Sequence, residues 1–279
     1  MAEADGEGCG NVGGISMLSS SDAGESLLLS LDWSQGNCGD AKIVVSQSDG
    51  GLAIWRPDSA GGKLIQETGP WPAHNFRGGI PTEAWISFFR RGSGDSSDAN
   101  FVVSGADDAL MKGWDLRTGG AALPAFVCKE HDAGVTAGQW HPTREYAFVS
   151  GSYDERVRVW DSRKLNDPVS TIHTGGGLWR LKWHPNPERS NLLLCACMHA
   201  GLRVLNTELS LTATPCDAAS VTQGAGYLVA RYSRHESMAY GGDWCRLPES
   251  LRSSRPLVGS CSFYDSLFCL WQTPSLQNR

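Results

Sequence analysis

A six-residue spacing constrains this chain more than any other feature of its sequence. In SGSYDERVRVWD, Asp154 precedes Trp160 by six residues, and the same offset returns as Asp49 to Trp55, Asp108 to Trp114 and Asp265 to Trp271. Before each Asp runs a short apolar stretch with Ser at alternate positions: IVVSQS, FVVSGA, AFVSGS and LVGSCS. Further upstream a second stretch ends in an aromatic residue, at Trp33, Phe89, Trp140 and Trp244. A fifth copy lies between the third and the last. It runs LWRLKW to Trp183, then LLLCAC, then His199 and Leu205, again six apart, with His in place of the Asp and Leu in place of the Trp. The turn residues fall at 49, 108, 154, 199 and 265, in steps of 59, 46, 45 and 66. Short apolar runs bounded by turn residues read as strands, and 11 Trp, 33 Gly and 13 Pro among 279 residues fit short strands and tight turns better than long helices.

The two shorter steps match the period of WD repeats, about 40–45 residues with four strands per blade. The expected fold is therefore all-β, a WD-repeat β-propeller with five recognisable blades ending near 55, 114, 160, 205 and 271. The longer steps read as polar loop insertions at RRGSGDSSDAN (90–100), at 206–234 and at CRLPESLRSSRP (245–256). One array spans 26–272, after a disordered Gly/Ser/acidic segment at 1–25 and before a tail at 273–279. Blades bury their faces only against neighbours, and propellers close with about 4–8 blades. The fifth unit ends so near the C-terminus that little remains to close a ring. The expectation is an open arc or a strained ring that lacks the N-terminal blades of a seven-bladed one. In such repeats the Asp carboxylate sits in the turn between the second and third strands and accepts backbone N–H bonds. A His from the preceding loop, a strand Ser and the strand Trp join it, which in the third unit gives His131, Ser150 or Ser152, Asp154 and Trp160. The same structural part is expected of Asp49, Trp55, Asp108, Trp114, Asp265 and Trp271, and His141-Pro142 and His184-Pro185 read as turns.

A formal net charge of −6 argues against nucleic acid, whose binders carry a basic footprint. The 9 Cys contain no C-x-x-C pair, and reduced thiols in a cytosolic protein are the default. Residues 1–26 hold no Lys, Arg or apolar segment, unlike a secretory signal. No apolar run reaches transmembrane length, so a cytoplasmic protein without membrane contact is expected. Neither G-x-S-x-G nor H-E-x-x-H occurs, and neither metal nor cofactor is expected.

More specific strings follow in order: EHDAGVT, SGSYDERVRVWDSRK, GGGLWRLKWHP, LLCACMHAGLRVLN, HESMAYGGDW and SCSFYDSLFCLW. Together, from Ser26 to Trp271, they resemble the WD-repeat diphthine methylesterase family, also called diphthine methyltransferase. The resemblance implies hydrolysis of the methyl ester of methylated diphthine on translation elongation factor 2, a step of diphthamide biosynthesis that precedes amidation. It also implies that elongation factor and other diphthamide-pathway enzymes as partners, and further N-terminal repeats in family members. Ester hydrolysis needs a nucleophile or activated water, a base and oxyanion donors. Places where a repeat breaks its own rule tend to mark function, and His199 does so, with an imidazole able to act as a base near neutral pH. Arg180 suits a carboxylate or an oxyanion, and Asp243 suits the orienting of a His. Ser152, Ser262 and Cys197 are further nucleophile candidates, although each also fits the inward-facing strand pattern. Tyr240, Trp179 and Tyr264 suit a quaternary ammonium group by cation–π contact, or else simple packing. Two other readings stay open: a non-catalytic scaffold, and a ubiquitin-ligase substrate receptor carrying WDSR at 160–163 or WDLR at 114–117, a box that arises by chance after any Trp-Asp.

Overall fold

The computed structural model describes residues 20, 24–35, 41–58, 63–92, 98–118, 123–207, 228–246 and 255–274. Most of the segment 1–25, residues 93–97, 208–227 and 247–254 of the insertions, and the tail beyond 274 lie outside the described residues. Among those described there is no α-helix, only three single 3-10 turns.

Blade 1 is built from β1 (Leu28–Trp33), β2 (Ile43–Gln47), β3 (Gly51–Pro57) and β4 (Leu64–Pro72), followed by a small hairpin of β5 (Asn75–Phe76) and β6 (Ile80–Pro81). Blade 2 takes β7 (Ile86–Phe89), β8 (Phe101–Gly105), β9 (Met111–Asp115) and β10 (Phe126–Cys128). Blade 3 takes β11 (Val135–Trp140), β12 (Ala147–Ser152), β13 (Arg156–Asp161) and β14 (Ser170–His173). Blade 4 takes β15 (Arg180–Trp183), β16 (Leu192–Ala196), β17 (Leu202–Asn206) and β18 (Leu228–Tyr232). Blade 5 has three described strands, β19 (Ala239–Trp244), β20 (Leu257–Ser262) and β21 (Phe268–Gln272). Every pairing within a blade is antiparallel and between consecutive strands, as short turns dictate. The five strand-ending aromatics of the repeat each close the first strand of a blade, and all five turn residues at 49, 108, 154, 199 and 265 sit between second and third strands.

Middle blades are covered on both faces, so their second strands are buried along their whole length instead of at alternate positions. All residues of β12 and of β16 are buried. The blades meet through close approaches and side-chain bonds to the backbone. A Cβ on Gly138 would lie 2.2 Å from the Phe88 ring, so only glycine lets β11 close on β7. Unpaired N–H groups on first strands are met by side chains of the preceding blade: Phe89 N donates to Asp32 (3.0 Å), Ser87 N to Ser30 Oγ (2.9 Å) and Trp183 N to Gln139 Oε1 (2.9 Å). At the far ends of β11 and β15, His141 and His184 cap their turns by accepting from Thr143 N and Asn186 N. Their rings then pack on Trp183 and Trp244 of the next blade at 4.6 and 4.8 Å. The His-Pro turns are therefore inter-blade joints.

The blades form an arc that does not close, since no strand of blade 5 pairs with a strand of blade 1 among the described residues. Burial shows the same thing. Phe148 in blade 3 is 1% exposed, whereas Leu31 of β1 is 65% exposed and Phe268 and Leu270 of β21 are 71% and 63% exposed. These outer faces are apolar enough to be packed, and among the described residues no neighbouring blade covers them.

Candidate functional site

The turns on one rim of the arc carry the polar chemistry. In blade 2, Trp114 Nε1 donates to Ser104 Oγ (2.9 Å), Ser104 Oγ meets His74 Nε2 (2.8 Å), and His74 Nδ1 meets Asp108 (3.0 Å). Blade 3 repeats the chain with Trp160, Ser150 and His131, so Ser150 and not Ser152 is the strand partner. There Arg158 Nη1 stands between His131 Nδ1 and Asp154, 2.7 Å from each. Blade 5 runs from Trp271 through Ser260 to His235 Nε2, but His235 Nδ1 meets Ser262 Oγ at 2.9 Å, and that hydroxyl donates on to Asp265. Blade 1 has Ser26 Oγ donating to Asp49 (2.6 Å) in place of a His. His74 and His235 had no constant spacing from their Asp to give them away, because loop length between blades varies; the usable signal was only a His in the loop before a blade.

Burial lowers the pKa of His74 and of His131, against the pull of their Asp partners, which keeps both imidazoles neutral. Asp154 experiences burial in the opposite sense, but hydrogen bonds from His131, Arg158 and Asp132 N outweigh it and hold the carboxyl well below the usual range. The Ser262 hydroxyl, with two backbone N–H donors, likewise lowers Asp265. These groups do structural work. So do the candidate nucleophiles: Ser152 Oγ donates to Ala133 O (2.8 Å) and accepts from Asp154 N (3.1 Å), while the buried Cys197 Sγ lies 3.6 Å from Cys195 O.

Blade 4 solves its turn differently. In the other four blades the turn Asp accepts from the backbone N–H two residues on, at Gly51, Leu110, Arg156 and Leu267. In each of them the residue after the Asp is left-handed: Gly50, Ala109, Glu155 and Ser266. In blade 4 the left-handed residues are Met198 and Gly201, and Gly201 N donates to Met198 O (3.1 Å). The backbone has taken over what the carboxylate does elsewhere. Apolar contact replaces the rest, with Leu205 and Cys195 buried at the Trp and Ser positions. A Cβ on Gly176 would come within 2.2 Å of Cys197 O, so the preceding loop lies directly on the turn. The His199 side chain is exposed and forms no hydrogen bond within the described residues. Arg203, at the position of Arg158, has no acid opposite it and its buried Nε lacks a hydrogen-bond partner among the described residues.

A cavity of about 400 Å³ opens between first strands β1, β7, β11 and β15, and Arg180 and Lys182 reach it from β15. Arg180 Nη1 donates only to Trp179 O (2.8 Å), and its guanidinium lies over the Trp179 ring at 5.4 Å. Burial pushes its pKa down, and no carboxylate within the described residues pairs with it. Trp179 in turn touches Tyr240 (5.2 Å), which leads through Phe263 (6.1 Å) to Tyr264 (5.0 Å). His199 adjoins this row through Met198, whose backbone bridges Ala239 beside Tyr240. Asp243 stands apart: it is four residues along β19 from Ala239, about 13 Å, next to Trp244, and among the described residues it pairs with Arg246 at 3.9 Å. Arg117 and Arg163 of the two Trp-Asp-x-Arg boxes each pair with the Asp two residues earlier at 2.6 Å. Among the described residues no group of three or more His, Cys, Asp or Glu side chains could hold a metal ion.

Comparison with known proteins adds names to this geometry. Residues 123–161 match the WD domain, G-beta repeat. The chain is 37% identical over 223 residues to a Homo sapiens protein named diphthine methyltransferase, covering 78% of this chain and 44% of that protein. It is 36% identical to the Mus musculus protein of that name, over 81% of this chain and 43% of the relative. A Dictyostelium discoideum homolog is 34% identical over 88% of this chain and 62% of its own length. The chain thus spans less than half of the two mammalian relatives and about three fifths of the third.

Proposed function

We propose that this chain, a WD-repeat homologue over most of its length of proteins named diphthine methyltransferase, acts in diphthamide biosynthesis by hydrolysing the methyl ester of methylated diphthine on translation elongation factor 2. One observation carries the reading. A half-buried guanidinium with no carboxylate partner among the described residues, Arg180, lies against an aromatic row at the mouth of a cavity, and the adjoining turn exposes an imidazole with no hydrogen bond there. A half-buried guanidinium gains from an anion beside it, and an ester becoming a carboxylate supplies negative charge first as an oxyanion and then as product. In this reading His199 takes a proton from water, and the hydroxide oxygen bonds to the ester carbonyl carbon. The bond from that carbon to the methoxy oxygen then breaks, and the imidazolium returns the proton so that methanol leaves. Arg180 binds the oxygen that carries the charge throughout. Trp179, Tyr240 and Tyr264 hold the substrate's quaternary ammonium group by cation–π contact.

The test is incubation of the purified chain with elongation factor 2 bearing methylated diphthine, followed by mass spectrometry of the modified peptide and assay of methanol. Loss of one methylene mass with equimolar methanol is expected. Stable binding with unchanged mass would replace this reading with that of a scaffold.

A further inference from the structure

Four half-buried aromatic rings from four successive blades meet on the rim: Trp85, Tyr153, Trp179 and Tyr240. Trp179 is central, 5.6 Å from Trp85, 6.2 Å from Tyr153 and 5.2 Å from Tyr240. These separations put the rings in contact, so they form a platform and leave no slot between them. Two carboxylates border it. Asp107 Oδ1 accepts from Trp85 Nε1 at 3.4 Å, and Asp107 N donates to Glu83 O (3.0 Å), which brings both acids to the same edge. A Cβ on Gly134 would lie 2.5 Å from Asp107 Oδ1 and 3.2 Å from the Tyr153 ring, which places that carboxylate against the platform. Neither acid has an ion-pair partner among the described residues, in contrast to Asp108 and Asp154 in the turns just beyond. Tyr153 reports the same negative surroundings: burial first, then Asp107, Tyr240 and Glu83, push its hydroxyl up to about 12.

Ring faces carry negative quadrupole charge, and two unpaired carboxylates add to it, so the complementary ligand is a cation. A strongly hydrated ammonium gains little from rings that cannot replace its water shell, whereas a methylated ammonium is weakly hydrated and matches a flat aromatic surface. Guanidinium is the other candidate, but Arg180 already occupies one side of Trp179 and would repel it as strongly as any cation without the compensation of methyl contacts. We propose that Trp85, Tyr153, Trp179 and Tyr240, bordered by Asp107 and Glu83, form a subsite for a quaternary ammonium group. It deepens the reading above, with which it shares Trp179 and Tyr240; Trp85, Tyr153 and both carboxylates are new to it.

The experiment titrates the full chain with tetramethylammonium, guanidinium and ammonium chlorides at constant ionic strength, following tryptophan fluorescence. Saturable quenching by tetramethylammonium at concentrations where the other two have no effect is expected. Trp85→Leu and, separately, Asp107→Asn should each weaken that binding roughly threefold to thirtyfold, with unchanged circular dichroism. Because Trp85→Leu removes packing, Glu83→Gln serves as a second surface variant with the same expected direction. An equal response to all three cations, no saturable response, or binding untouched by the variants overturns the subsite. No ester is present, so a chain that binds the probe yet leaves the methyl ester intact refutes the hydrolysis alone.

Discussion

Blades 3 and 4 are adjacent and turn at equivalent places between second and third strands, yet they hold the turn by different physics. In blade 3 a polar chain of Trp160, Ser150, His131, Arg158 and Asp154 is buried and fully bonded. In blade 4 the backbone replaces the carboxylate, with Gly201 N donating to Met198 O, above an apolar filling of Cys195, Cys197 and Leu205. The difference teaches that a repeat can lose its signature residues and keep its turn when packing and backbone geometry replace them. It also frees the position. Asp154 accepts the hydrogen bonds that hold its turn, whereas among the described residues His199 forms no hydrogen bond and the buried Nε of Arg203 has no partner.

The comparison breaks most visibly at its hydrophobic ends. Trp160→Ala in blade 3 should cost about 3–5 kcal/mol and Leu205→Ala in blade 4 about 2–5 kcal/mol, measured by chemical denaturation. Similar costs are expected because both side chains fill the same place in a blade; a negligible effect for Leu205 would mean that blade 4 is loosely packed and its turn merely decayed.

The turn residues themselves should separate the two blades. Asp154→Ala leaves Arg158 buried without its acid and should cost about 1.5–3 kcal/mol. His199→Ala should stay within about 0.5 kcal/mol of the parent, as an exposed side chain does. Gly201→Ala sharpens the point. That residue has φ +76 and an added Cβ would lie 2.3 Å from Tyr232 O, so it should destabilise by about 1–3 kcal/mol. A cost at His199 equal to that at Asp154 would show that the imidazole holds the turn after all.

Acid should act on one blade before the other. His74 and His131 have folded-state pKa values below their ordinary 6.5, so the unfolded chain binds protons first and stability is full above about 6.5 and lost as pH falls below it. Asp154, lowered from 3.8, adds stability that is lost only at still lower pH. Blade 4 has no such turn group. Hydrogen exchange on lowering the pH from about 7 to 5 should therefore deprotect β12 and β13 ahead of β16 and β17. The reverse order would contradict the assignment of His131 as buried and neutral.

Much of this was legible in the sequence. The Asp–Trp offset located all five turns, and the strand-ending aromatics located each first strand, because a blade must bury the same positions every time. The substitution at His199 was equally visible. Its compensation was not: the shift of left-handed backbone from the residue after the Asp to Met198 and Gly201 depends on where the preceding loop lies, and Gly176 packing on Cys197 is a contact across 21 residues. Nor could spacing show that Ser262 is inserted between His235 and Asp265. The Trp85–Tyr153 platform spans blades, and no repeat pattern within one blade encodes it.

The central claim is that the turn of blade 4 was released from structural work to do chemistry, and its most direct measurement is turnover of methylated diphthine on elongation factor 2 by His199→Ala, read beside thermal unfolding of the same sample. The account predicts a rate at least about a hundredfold lower, the lower end of what a general base contributes, with an unfolding midpoint that matches the parent. A normal rate would contradict it and leave His199 as an ordinary exposed turn residue.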